Sequence, residues 1–87
     1  MNRIIIDVRE PFEYMMGHVK EAINIPPAKL MQGLPKQLAD TPKDTEIVLY
    51  CLSGARSGAS MRILQQHGFT NLINGINKDH VKAKYSY

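Results

Sequence analysis

Two short runs, "RIIID" (Arg3 to Asp7) and "IVLY" (Ile47 to Tyr50), are apolar without interruption and then give way to polar or small residues and a helical pattern. A strand that alternates polar and apolar residues has one wet face. A strand with no such alternation must be covered on both faces, as in a parallel sheet flanked by helices. Pro11 suits the first turn of a helix, and "PFEYMMG" gives about two turns before Gly17 stops it. "AINIP" (Ala22 to Pro26) reads as a second strand. Leu30, Leu34 and Leu38 lie four apart on one helical face, and Gly33 and Pro35 split that stretch into two short pieces. After a polar connection, "DTPKDTE" (Asp40 to Glu46), and the strand "IVLY", the segment "SGASMRILQQHG" reads as a helix. Ser57 is expected to cap its start, Ala59, Ile63 and Gln66 to share a face with Leu64 beside them, and Gly68 to end it. "TNLI" (Thr70 to Ile73) reads as a further strand, and "NKDHVKAKY" (Asn77 to Tyr85) as a final helix anchored by Val81 and Tyr85.

Strands separated by helices predict an α/β fold: a mostly parallel central sheet of four to five short strands with helices on both faces, in one domain over residues 1–87. Ligands in such sheets bind beyond the carboxyl ends of the strands. The longest apolar stretch, "IVLYCL", has six residues, against about 20 for a bilayer span, so no membrane partner is expected. "MNRIIIDVRE" is too soon charged for a secretory signal. A cytoplasmic location is expected, with the periplasm as the alternative if a leader has been removed and Met1 hides the cut. The net charge is +3, with basic residues scattered and the group Lys78, Lys82 and Lys84 interrupted by Asp79. That pattern suits a mild field that draws in a small anion better than a nucleic-acid surface, and no nucleic acid is expected. One cysteine leaves no intramolecular disulfide and no cysteine-based zinc site, and His18, His67 and His80 lack ligand spacing. No metal or cofactor is expected, and with no surplus amphipathic face the expected state is a monomer.

The lone cysteine stands at the end of the best strand, in "YCLSGARSG" (Tyr50 to Gly58). A free cysteine often does no more than pack in a core. Here Leu52, Ser53, Gly54, Ala55, Arg56 and Ser57 follow, and then a helix. Amides at a helix start lack intrahelical partners, and the helix dipole adds positive potential there. Small residues let the loop curl so that those amides converge on one point, a nest for an anion. A thiol at its centre falls from about 8.5 into the range of roughly 3.5 to 7.5 and is substantially thiolate at neutral pH. Cys51 is therefore read as a nucleophile, and Arg56 as closing the loop or holding a substrate anion. Four residues separate Cys51 from Arg56. Tyrosine-phosphatase-type loops have one more, so the cradle here is smaller and fits a sulfur atom bound to the cysteine better than a whole phosphate.

These residues resemble the rhodanese family of single-domain sulfurtransferases, and are most similar to its compact, phage-shock-type members. "IDVREPFEYMMGHVKEAINIP" resembles the family's N-terminal signature, "VLYCLSGARS" its active-site strand and loop, and "ILQQHGFTNLINGI" the helix and strand that follow. The resemblance implies a small rhodanese-like fold and a thiosulfate sulfurtransferase in which Cys51 carries a persulfide held by the amides of Leu52 to Ser57. It implies a small sulfur anion as donor (thiosulfate, a persulfide or a polysulfide) and a thiol or cyanide as acceptor. Asp7 and Arg9 match the family's polar pair near the active-site face, where they position the loop or the anion or form a structural ion pair. His18 matches a structural Gly-His. Two departures stand out: Asn74 replaces the first glycine of a tandem pair, and Asp79 occupies a tryptophan position. The final helix is therefore expected to be loosely held. Leu52 replaces a cation that some members carry, which would leave Arg56 as the loop's only charge. A persulfide carrier without turnover and, less favoured by the spacing, a small cysteine phosphatase or arsenate-type enzyme are the alternatives.

Overall fold

The computed structural model describes residues 3–87. The elements run β1 (Arg3–Asp7), α1 (Pro11–Met15), β2 (Ile23–Asn24), α2 (Pro27–Met31), a 3-10 turn at Lys36–Leu38, β3 (Glu46–Cys51), α3 (Ala55–Gln66), β4 (Leu72–Asn77) and α4 (Lys78–Tyr85). The strands form one sheet in the order β2-β1-β3-β4. All three pairings are parallel, with Asp7 opposite Tyr50 and Ile6 opposite Leu49 in the central pair.

Every strand therefore points the same way, and the residues that follow β1, β3 and β4 gather at one edge. The continuous β-branched runs make sense in this setting, because β1 and β3 are covered on both faces. Ile6, Leu49 and Cys51 face a core closed by Leu30 of α2 and Leu64 of α3. Ile5, Val48 and Tyr50 face the opposite layer, where Val81 of α4 is buried and Tyr14 of α1 and Tyr85 of α4 pack against it. Burying an aliphatic side chain of this size contributes about 1.5–3 kcal/mol, so the two layers rather than any local propensity hold the short helices in place. Among the described residues no helix is long and apolar enough to cross a membrane.

Five local expectations are corrected. β2 forms over only Ile23–Asn24, because Pro26 and Pro27 start the next helix. β4 is displaced toward the C-terminus, covering Leu72–Asn77 rather than residues 70–73. Its Asn-Gly pair reads as a turn in sequence. In the sheet, however, Leu49 pairs with Asn74 and Tyr50 with Ile76, so Gly75 is an extra, bulged residue that lets the strand run on. A Cβ on Gly75 would lie 2.6 Å from Val81 Cγ2 and 2.9 Å from Val48 Cγ1. The buried face of α3 is Ser57, Ser60 and Leu64, whereas Ala59 and Ile63 are half-buried and Gln66 is exposed. Ser57 also does not cap that helix. Gly54 does, in a left-handed conformation (φ 94°) that a side chain would resist, and Ser57 falls within the first turn. The final helix is firmly anchored: Val81 is fully buried, Asn77 Oδ1 accepts from the His80 amide at 2.8 Å, and His80 Nδ1 donates to the Gly75 carbonyl at 3.0 Å.

Candidate active site

Cys51 is the last residue of β3, so the strand delivers its sulfur to the carboxyl edge of the sheet. The chain then turns at Gly54, whose amide donates to Cys51 Sγ at 3.1 Å. No side chain caps α3. The sulfur takes the acceptor's place at the helix start, where amides lack partners and the dipole favours negative charge. Ser57 Oγ lies 3.5 Å from the same sulfur. Burial pushes the Cys51 thiol up, but the backbone amides of Ser57, Ser53 and Gly54 oppose it and hold the group below its ordinary value. The residue is buried overall (1% exposed) yet lines a cavity of about 290 Å³ together with Arg9, Leu52, Asn77, Lys78 and Asp79. A larger hollow of about 380 Å³, lined by Ile4, Lys36 and Asp40 among others, is not lined by Cys51.

Of the loop residues, Leu52, Ser53 and Ala55 are exposed and Gly54 and Arg56 half-buried, while Ser57 is fully buried. Arg56 grips α1, with Nη1 donating to Glu13 Oε1 at 2.8 Å and Nη2 to Oε2 at 3.2 Å. Glu13 is itself fixed by the Glu10 amide at 2.9 Å. Beside the Arg56 guanidinium its carboxyl is held down at about 2. The pair ties the residue after the loop to α1.

Asp7 and Arg9 form a buried pair at the end of β1. Asp7 Oδ1 accepts from Arg9 Nε at 2.9 Å, and Oδ2 accepts from Arg9 Nη2 at 2.6 Å and from the Tyr50 hydroxyl at 2.9 Å. Tyr50 in turn accepts from the Val19 amide at 2.9 Å. Burial pushes Tyr50 up to about 12, so the phenol keeps its proton and can donate. Arg9 also donates to the Gly17 carbonyl at 2.7 Å while lining the Cys51 cavity. The ion pair thus stands at the edge of the cavity that Cys51 lines. His18 is structural, its Nδ1 donating to the Tyr14 carbonyl at 2.8 Å and its ring stacked on Tyr14.

Sequence reasoning missed three participants. Glu13 lies 43 residues from Arg56, and nothing local marks the pairing. Lys78 lines the Cys51 cavity and, among the described residues, makes no ion pair, so Arg56 is not the only cation nearby. Asn74 hydrogen-bonds the loop at two points, and its departure from the family's glycine was the signal that could have found it.

A family model for the rhodanese-like domain matches this chain over residues 1–79. The chain belongs to the rhodanese-like domain family. It is 34% identical over 71 residues to a sulfurtransferase of Allochromatium vinosum, covering 82% of this chain and 63% of that protein. It is likewise 34% identical over 83 residues to thiosulfate:glutathione sulfurtransferase of Saccharomyces cerevisiae, covering 80% and 57%. The chain thus spans about three-fifths of these relatives' length. It spans 21% of a Pectobacterium carotovorum protein named tRNA uridine(34) hydroxylase. Among solved structures, a rhodanese with anions from E. coli superposes with a TM-score of 0.77 at 31% identity, covering 91% of each chain. The sheet and its flanking helices are therefore the rhodanese-like α/β fold.

Proposed function

We propose that this rhodanese-like chain, acting as a single domain over residues 1–87, is a sulfurtransferase that carries a sulfane sulfur on Cys51. The observation that carries this reading is the Gly54 amide aimed at Cys51 Sγ at 3.1 Å, at an uncapped helix start beside an open cavity. In the first step the Cys51 thiolate attacks the outer sulfur of thiosulfate. The bond between that sulfur and the sulfonate sulfur breaks, its electron pair leaves with sulfite, and Cys51 holds a persulfide anion. In the second step an acceptor thiolate or cyanide attacks the outer persulfide sulfur, giving a new persulfide or thiocyanate and returning the Cys51 thiolate. This is two-step covalent exchange, and no base is required because the nucleophile is already ionised.

The amides of Leu52 to Ser57 cradle the bound sulfur, while Arg56 holds the cradle to α1 through Glu13. Arg9, braced by Asp7, and Lys78 supply positive charge to the cavity through which an anionic donor arrives. Thiosulfate as donor and a small thiol as acceptor are supported by the name of the yeast relative. A persulfide or polysulfide donor fits the same cradle.

Intact-mass spectrometry after incubation with thiosulfate or polysulfide tests the reading. Cys51 is expected to gain one sulfur atom that reductant removes and that Cys51→Ser abolishes. No gain with either donor refutes it. Thiocyanate release under excess thiosulfate and cyanide separates turnover from simple carriage.

A further inference from the structure

The loop around Cys51 is tied to β4 by Asn74, a side chain that the proposed sulfur transfer does not use. Its amide can be oriented in only one way. Nδ2 donates to the Gly54 carbonyl at 3.0 Å, and a carbonyl can only accept. Oδ1 accepts from the Ile76 amide at 3.0 Å, and a backbone N–H can only donate. Toward Ser57 Oγ, 2.7 Å away, Asn74 therefore presents an acceptor, and Ser57 must supply the proton. A hydroxyl has one proton. With that proton spent on Asn74, Ser57 turns only lone pairs toward Cys51 Sγ at 3.5 Å. A neutral thiol can donate into those lone pairs, but a thiolate meets them as another acceptor.

We propose that Asn74 is a positioning residue that draws the Ser57 proton away from the sulfur, so that Ser57 favours the neutral thiol and backbone amides alone carry the ionised form. A Ser57 hydroxyl that donated to the sulfur would act in the opposite sense. Asn74 thus restrains the reactivity of a thiol that the loop otherwise activates. The proposal rests on the reading of Cys51 as the sulfur carrier for its significance, but its test needs no sulfur transfer. The other charged groups around the sulfur are Arg9 at the end of β1 with its partner Asp7, Arg56 of α3 with its partner Glu13 of α1, and Lys78 and Asp79 of α4. Substitution at 57 or 74 removes none of these charges.

The experiment measures the iodoacetamide alkylation rate of Cys51 against pH in the full chain, with circular dichroism confirming the fold. It compares the parent, Ser57→Ala, Asn74→Gly and the double variant. Ser57→Ala is expected to leave the midpoint unchanged or lower it, since the hydroxyl serves the thiol and not the thiolate. Asn74→Gly is expected to lower the midpoint by about one pH unit, the shift expected of one freed hydroxyl donor to an anion. That drop should vanish in the double variant, which has no hydroxyl to release. A raised midpoint in Ser57→Ala would place the proton on the sulfur and overturn the proposal. A midpoint unchanged or raised in Asn74→Gly, or lowered equally with and without Ser57, would overturn it as well. If Asn74→Gly fails to fold, the sign of the Ser57→Ala shift decides alone.

Discussion

Replacing Asp7 by Asn keeps the side chain's shape and removes its charge from beneath Arg9. Asp7 is fully buried and Arg9 is 6% exposed. The carboxylate accepts from Arg9 Nε and Nη2, from the Arg9 amide at 2.9 Å and from the Tyr50 hydroxyl. An asparagine retains one oxygen and turns an NH2 group toward donors that need an acceptor. Arg9 then keeps the Gly17 carbonyl and the single remaining side-chain oxygen in place of a two-oxygen carboxylate. Breaking a buried ion pair from one side costs about 3–5 kcal/mol, because the remaining charge is left uncompensated. Arg9 borders the open Cys51 cavity, so its guanidinium can be partly hydrated, which places the loss near the lower end, at about 3 kcal/mol. Domains of this size are stable by roughly 5–15 kcal/mol, and about 3 kcal/mol corresponds to a melting temperature lower by roughly 12–24 °C. Urea denaturation of the parent, Asp7→Asn and the double variant Asp7→Asn/Arg9→Met provides the assay. The double variant should recover part of the loss, since it removes the stranded charge. A loss under about 1 kcal/mol for Asp7→Asn, the size of an exposed pair, would refute the inference that this pair is buried and mutually dependent.

Glu13→Gln should cost less at neutral pH, about 0.2–1 kcal/mol, because the Arg56 and Glu13 side chains are 34% and 16% exposed. The sign with pH follows from the depressed Glu13 carboxyl, at about 2 in the fold. Its contribution is fully present above the ordinary carboxylate value near 4.3 and is lost as pH falls toward about 2. Urea midpoints of parent and variant should therefore differ at pH 7 and converge in that acid window. Gly75→Ala should cost about 1–3 kcal/mol by overpacking, since its methyl group would also sit 3.2 Å from the Leu49 carbonyl. The loss should be less than additive with Val81→Ala in a double-mutant cycle.

How far the sequence disclosed this molecule depended on whether the causes were local. β1 and β3 were legible because an unbroken apolar run of strand-forming residues has few other uses, and the break between α2 and the 3-10 turn was legible in Gly33 and Pro35. β4 was misplaced because Asn74 and Gly75 are turn residues by local rules, and only pairing with β3 makes them a bulge within a strand. Ser57 looked like a cap because serine commonly is one. The sulfur of Cys51 had already taken that role, a substitution that no propensity encodes. The placement of Cys51 at a strand end, ahead of a small loop and a helix, was legible in sequence. The pairing of Arg56 was not legible, because its carboxylate partner comes from a helix 43 residues earlier in the chain.

The extra residue in β4 changes the parity of the strand. Side chains three apart on a regular strand point to opposite sides of its sheet. With Gly75 inserted, Asn74 stands opposite Leu49 and Asn77 opposite Cys51, and Leu49 and Cys51 share a core face. One odd interval has become even, so a single strand sends one asparagine to the loop behind the sulfur and another to the hollow in front of it.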